Sequence, residues 1–192
     1  SAFGLVNPAF AMAKAIDKFS HMQVPATPKT TYSVGVIGGG TSVNSIPYES
    51  WMEVDMRSES PEELSKEVES FIGFMHDAAD EENKARSTAQ GKIEVDIKMI
   101  GDRPSGSTSI GSIIVQTAAM MMRAMGITPI YGIGSQDANI PISLKIPAIT
   151  LGGGANGQRT HALDESINVE KTGSLKGIYV VLGTLLSLAG AQ

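Results

Sequence analysis

Ser50 to Met75 reads SWMEVDMRSESPEELSKEVESFIGFM, and two periodicities meet inside it. Met52, Val54 and Met56 alternate with Glu53, Asp55 and Arg57. A strand with that pattern turns one face to a core and the other to water. From Ser60 the repeat lengthens to that of a helix, with Leu64, Val68, Phe71, Met75 and Ala79 on one stripe. Between the two, Ser60-Pro61-Glu62-Glu63 is a capping box: Ser60 caps, Pro61 opens the helix and Glu63 reaches back. Met52, Val54, Met56, Leu64, Val68, Phe71 and Met75 are therefore expected to be buried together.

Upstream, Asn7-Pro8 is a helix start, cap followed by proline at the first helical position, and Ala9, Met12, Ala13, Ile16 and Phe19 follow at helical spacing. Tyr32, Val34 and Val36 alternate as a strand would, until Gly38-Gly39-Gly40 breaks the pattern. Downstream, Ile93, Val95, Ile97 and Met99 predict a further strand. The order to Pro104 is helix, strand, strand, helix, strand. One strand before Asn7 would complete a βαββαβ unit of ferredoxin-like type, an α+β sheet with both helices on one face. Glu53, Asp55 and Arg57 would lie on the other face.

From Ser105 the character changes. Ile110, Ile113, Ile114, Thr117, Met121 and Met125 suit an amphipathic helix, while Pro129–Gly134 and Pro147–Leu151 read as short apolar strands. A helix from about Val169 to Ala189 closes the chain. Helices alternating with continuous apolar strands indicate an α/β layer with a buried sheet. The boundary is placed in Gly101–Gly106, giving domains 1–104 and 105–192. Ile178–Ala189 is apolar but too short for a bilayer and interrupted by Gly183, so a buried terminal helix is expected.

Composition narrows the chemistry. The 192 residues are 42% hydrophobic with a net charge of −5, which offers no basic surface for nucleic acid or an anionic membrane. The chain has no cysteine, which removes disulfides, thiolate metal sites and cysteine nucleophiles, so any metal must be held by His, Asp or Glu. Ser1–Phe10 lacks the basic and apolar regions of a signal peptide, and the expected location is cytoplasmic.

Gly152-Gly153-Gly154 follows an apolar strand, at the end of an α/β sheet where ligands bind. Glycines allow close backbone approach there, and they equally serve tight turns. His161 follows, with Asp164 and Glu165 close in sequence. Imidazole is the commonest metal ligand, and a loop histidine is the alternative. No His-x-Asp or His-x-x-x-His pair occurs, and a zinc site normally needs three or four protein ligands. Ser135-Gln136-Asp137-Ala138-Asn139 could line the same crevice or cap a helix through Ser135 or Asp137. Asn44 lies in a connection between strands, where turn chemistry alone explains an asparagine. Arg57 has the planar fork that suits a carboxylate, and an exposed paired charge is its other reading.

Asn44-Ser45-Ile46-Pro47 with Val54-Asp55-Met56-Arg57 resembles the lid signature of the zinc exopeptidases and deacylases of metallopeptidase family 20. Ser135–Asn139, Ile146–Gly154 and His161–Glu165 resemble that family's C-terminal catalytic segment, in the family's order, and Ser1–Ala9 with Arg103-Pro104 is similar to the tripeptidase-like branch. The resemblance implies a partial α/β zinc-exopeptidase-like segment joined to a lid, and a homodimer formed through lids. It implies two zinc ions per site sharing a water, which attacks an amide bond of a small peptide or N-acyl amino acid. By position His161 would be the last zinc ligand, Asn44 and Arg57 would hold the substrate's carbonyl or carboxylate, and Gly152, Gly153 and Gly154 would contact its backbone. The other metal ligands, the general base and the lid histidine would lie upstream of Ser1, so no catalytic residue is expected in this chain and zinc binding by it should be poor. The rival reading is a non-catalytic dimerisation or small-ligand module lacking the metal site.

Overall fold

The computed structural model describes residues 4–190 and divides the chain into two compact units, Ser1–Asp102 and Arg103–Gln192. The fold class is α/β, with small antiparallel sheets.

In the first unit α1 spans Pro8–Ser20, and Asn7 caps it by accepting from the Ala9 N–H at 2.9 Å. Its buried face is Ala11, Ala15 and Phe19, one residue off the expected stripe, and Ala13 is exposed. β1 (Thr30–Gly39) and β2 (Ser50–Ser58) form an antiparallel hairpin, with Thr30 opposite Ser58, Val34 opposite Val54 and Gly39 opposite Ser50. The register shifts between Val34 and Val36. β1 runs on through Gly38, because Trp51 stands opposite and its indole lies where a Gly38 β-carbon would be.

α2 (Pro61–Ala85) starts at Ser60, whose hydroxyl accepts from the Glu63 N–H at 3.3 Å. The reciprocal arm differs from expectation. The Ser60 hydroxyl donates to Glu62 Oε2 at 2.7 Å, while Glu63 holds Lys66 at 2.6 Å. Phe19 is the centre of the unit, 4.7 Å from the Tyr32 ring and 5.0 Å from the Phe71 ring. Of the seven residues expected to be buried together only Phe71 is; the other six are half-buried, and Glu67 takes a buried place instead. A hairpin of two strands is too narrow to cover a helix of this length.

The strand expected over Ile93–Met99 is not formed: among the described residues the segment has no partner strand, and Met99 is 72% exposed. Its start is held by the Asn83 amide, which donates to Ile93 O at 2.9 Å and accepts from Ile93 N at 2.7 Å, as a neighbouring strand would.

In the second unit α3 (Ile113–Ala124) buries Val115, Thr117, Ala118 and Ala119. α4 (Asn139–Ser143) is a single turn, followed by the small hairpin of β3 (Asn156–Gln158) and β4 (Ser166–Asn168), then α5 (Lys171–Ala189). The expected strands at 129–134 and 147–151 are unpaired, and Ile130 and Ile133 are exposed. Continuous apolar strands belong in a sheet covered on both faces, and no strand among the described residues neighbours these two. For the same reason α5 is not the buried helix expected. Only Gly177, Val180 and Thr184 are buried, along one side of the helix, while Ile178, Leu182 and Leu185 are exposed. By length and composition alone α5 could cross a membrane, a test that core helices also pass.

Candidate functional site

The sequence-derived candidates fall in both units, and each unit defines its own geometry. In the first, Arg57 projects from the polar face of β2, beside Asp55, whose Oδ2 lies 2.5 Å from its Nε. Both side chains are more than half exposed, so the guanidinium is screened by water and still has free donors for a carboxylate. Asn44 lies in the exposed β1–β2 connection, where its Oδ1 accepts from the Ser42 hydroxyl and Ser45 N–H donates to Ser42 O at 3.3 Å. That is turn chemistry. No hydrogen bond or ion pair joins Asn44 to Arg57 among the described residues.

Two carboxylates that the sequence reading passed over are the buried charges of this unit. Glu82 is fully buried and accepts from the Asn7 N–H at 3.0 Å, Lys14 Nζ at 2.9 Å and Arg86 Nη1 at 2.7 Å. It ties the start of α1 to the end of α2 and satisfies one of the donors that a helix N-terminus leaves free. Glu67 is 3% exposed, and neither of its carboxyl oxygens has a partner among the described residues. Burial, and to a lesser degree the nearby Asp55 charge, push its pKa up to about 7. Both lie on the line Glu67, Phe71, Ala78, Glu82 along α2, a helical spacing that could have been read from the sequence had charged residues been allowed on the stripe.

In the second unit the Gly152–Gly154 turn divides in two. Gly154 has φ +79, and a β-carbon there would lie 2.6 Å from Gly173 O and from Gly177 N, so this position requires glycine. Gly152 and Gly153 have no positive φ, and a β-carbon on either would meet nothing within 4 Å. On that side both glycines face open space, as close approach of a ligand needs, although the Gly153 carbonyl itself packs against Gly177 of α5.

His161 is exposed, in the β3–β4 connection, with φ 69. Its N–H donates to Glu165 Oε2 at 3.0 Å, and Arg159 Nε pairs with Asp164 Oδ1 at 2.7 Å. The two acidic neighbours are thus spent on the loop itself and do not face the imidazole as co-ligands. Among the described residues no three His, Asp or Glu come together, so the donor set present does not fit a zinc ion. The 135–139 turn is organised by Asn139 rather than by Ser135 or Asp137. Asn139 Oδ1 accepts from Gln136 N at 2.8 Å, and its amide donates to Pro104 O at 3.1 Å.

Residues 3–83 match the family model of a peptidase dimerisation domain. Three solved peptidase structures share its fold along nearly the whole chain. Aminopeptidase PepT from Bacillus cereus ATCC 10987 is 24% identical, with 96% of this chain and 46% of that one covered and a TM-score of 0.63. A tripeptidase from Staphylococcus aureus subsp. aureus Mu50 is also 24% identical, with 97% and 46% covered and a TM-score of 0.67. The YxeP protein of Bacillus subtilis, described as a dinuclear metal binding peptidase from the M20 family, is 19% identical, with 95% and 47% covered and a TM-score of 0.59. At these identities the likeness is one of fold. The chain spans less than half the length of each of these structures. No curated protein matches it.

Proposed function

We propose that this chain is the lid and the C-terminal catalytic segment of a two-zinc peptidase or deacylase that hydrolyses an amide bond in a small peptide or N-acyl amino acid. The observation that carries the reading is the match of residues 3–83 to a peptidase dimerisation domain, within a fold shared along the chain with family-20 peptidases. The first unit would act as lid and homodimer interface. Arg57 would grip a substrate carboxylate, Asn44 would hold a carbonyl, and the open side of Gly152 and Gly153 would lie against the substrate. His161 would be one ligand of a zinc whose remaining ligands this chain does not supply. When bound, the metal pair would polarise the carbonyl and activate water.

The test is to express the longer gene product with zinc and assay peptides and N-acyl amino acids. Amide hydrolysis that falls, together with zinc content, in His161→Ala supports the reading. A longer product that binds no zinc and cleaves neither class refutes it in favour of the dimerisation or ligand-binding module. On its own the chain should sediment as a dimer and show no stoichiometric zinc uptake by calorimetry.

A further inference from the structure

The glycine turn at 152–154 is held by direct backbone contact with α5, and the contact is glycine on glycine. A β-carbon on Gly177 would overlap Gly153 C and O and Gly154 N. Reciprocally, one on Gly154 would lie 2.6 Å from Gly173 O and 2.7 Å from Gly177 Cα. No side chain stands between the two backbones to absorb a change. The helix side is the stiffer. The Glu170 carboxylate caps its first turn, accepting from Thr172 N at 2.8 Å and Gly173 N at 3.0 Å, and Gly177 shares its buried stripe with Val180 and Thr184. Gly152, at the other end of the turn, has nothing in front of it.

We propose that Gly177, assisted by Gly173, is a positioning residue, setting the place of the turn whose open backbone meets the substrate. The inference rests on the proposed substrate role of the turn. Adding a methyl at Gly177 moves the turn, because the neighbours it meets are the turn's own backbone atoms. Position 183 on the same helix provides the contrast. A β-carbon there meets Met121 Cε and Sδ, the far end of a side chain that can swing aside. At Gly173 the nearest atom is Gly154 O at 3.4 Å, a tight contact needing only a small displacement.

The experiment compares Gly177→Ala, Gly173→Ala and Gly183→Ala by amide hydrogen exchange at residues 152–157 in this chain, and by kinetics in the longer zinc-loaded enzyme. The expected order of effect is Gly177, then Gly173, with Gly183 like wild type. Exchange in the turn should quicken about tenfold in Gly177→Ala. Its kcat/KM should fall about a hundredfold with zinc content unchanged, the loss that a shift of about 1 Å at a reacting group produces. If Gly177→Ala does not fold, Gly173→Ala carries the comparison and must still exceed Gly183→Ala in both readouts. Equal effects at 173 or 177 and at 183 overturn the proposal. Failure of the substrate reading shows separately: Gly152→Ala would then leave KM and kcat untouched while the exchange series kept its order.

Discussion

Replacing Glu67 by glutamine should make the stability of this chain less sensitive to pH. Both Glu67 carboxyl oxygens are buried without a partner. Burial first, and the Asp55 charge second, raise its pKa from the ordinary 4.5 to about 7. In the unfolded chain the same group ionises near 4.5. Between those values the unfolded state therefore binds fewer protons than the folded one, and stability falls as pH rises. Below about 4.5 both states are protonated and nothing is lost; above about 7 both are ionised and the loss is complete. At about 1.4 kcal/mol for each pKa unit the whole loss is at most about 3–4 kcal/mol. That is a large part of the 5–15 kcal/mol that typically stabilises a domain. Glutamine keeps the shape and cannot ionise. Its unpaired amide adds a penalty that does not vary with pH. Urea unfolding of both proteins at pH 5, 6, 7 and 8, followed by circular dichroism, should show wild type losing ground to Glu67→Gln steadily up to pH 7 and no further. A difference between the two that stays flat from pH 5 to 8 would falsify the argument, as would a Glu67 carboxyl resonance titrating near 4.5.

The other buried carboxylate, Glu82, is fully paired. Glu82→Ala strands the Asn7 N–H and leaves Lys14 and Arg86 without their common partner. Breaking a buried network of this kind costs about 3–5 kcal/mol, measurable as a lowered urea midpoint, and a loss below about 1 kcal/mol would show that the network is ornamental. Gly38→Ala must displace the ring of Trp51, the chain's one tryptophan, so its fluorescence should shift to longer wavelength, and an unchanged spectrum would mean that the ring does not lie on that backbone. In the proposed longer enzyme, if Arg57 anchors substrate, Arg57→Lys should remove about 2–4 kcal/mol of transition-state binding, read as kcat/KM, with Tm almost unchanged. Retained activity with lowered Tm would make Arg57 only the structural partner of Asp55.

The sequence by itself determined what depends on neighbours along the chain. The Asn7 and Ser60 caps, the α1 and α2 starts and the polar face of β2 were all readable, because capping and alternation involve residues within four positions of each other. The resemblance to a peptidase lid was legible for the same reason, and residues 3–83 match a peptidase dimerisation domain. Tertiary structure decided whatever needs a partner far away. Ile93–Met99 has the alternation of a strand, yet a strand exists only where another supplies its hydrogen bonds, and here the Asn83 amide serves one residue alone. Apolar runs 129–134 and 147–151 fail as strands on the same ground. No periodicity distinguishes the paired Glu82 from the unpaired Glu67, since the difference lies in Asn7, Lys14 and Arg86 arriving at one and not the other. The glycine turn shows the division most sharply. Its three glycines are alike in sequence, but Gly154 meets the backbone of α5 and Gly152 meets open space, and only the folded chain sets that helix against one end of the turn.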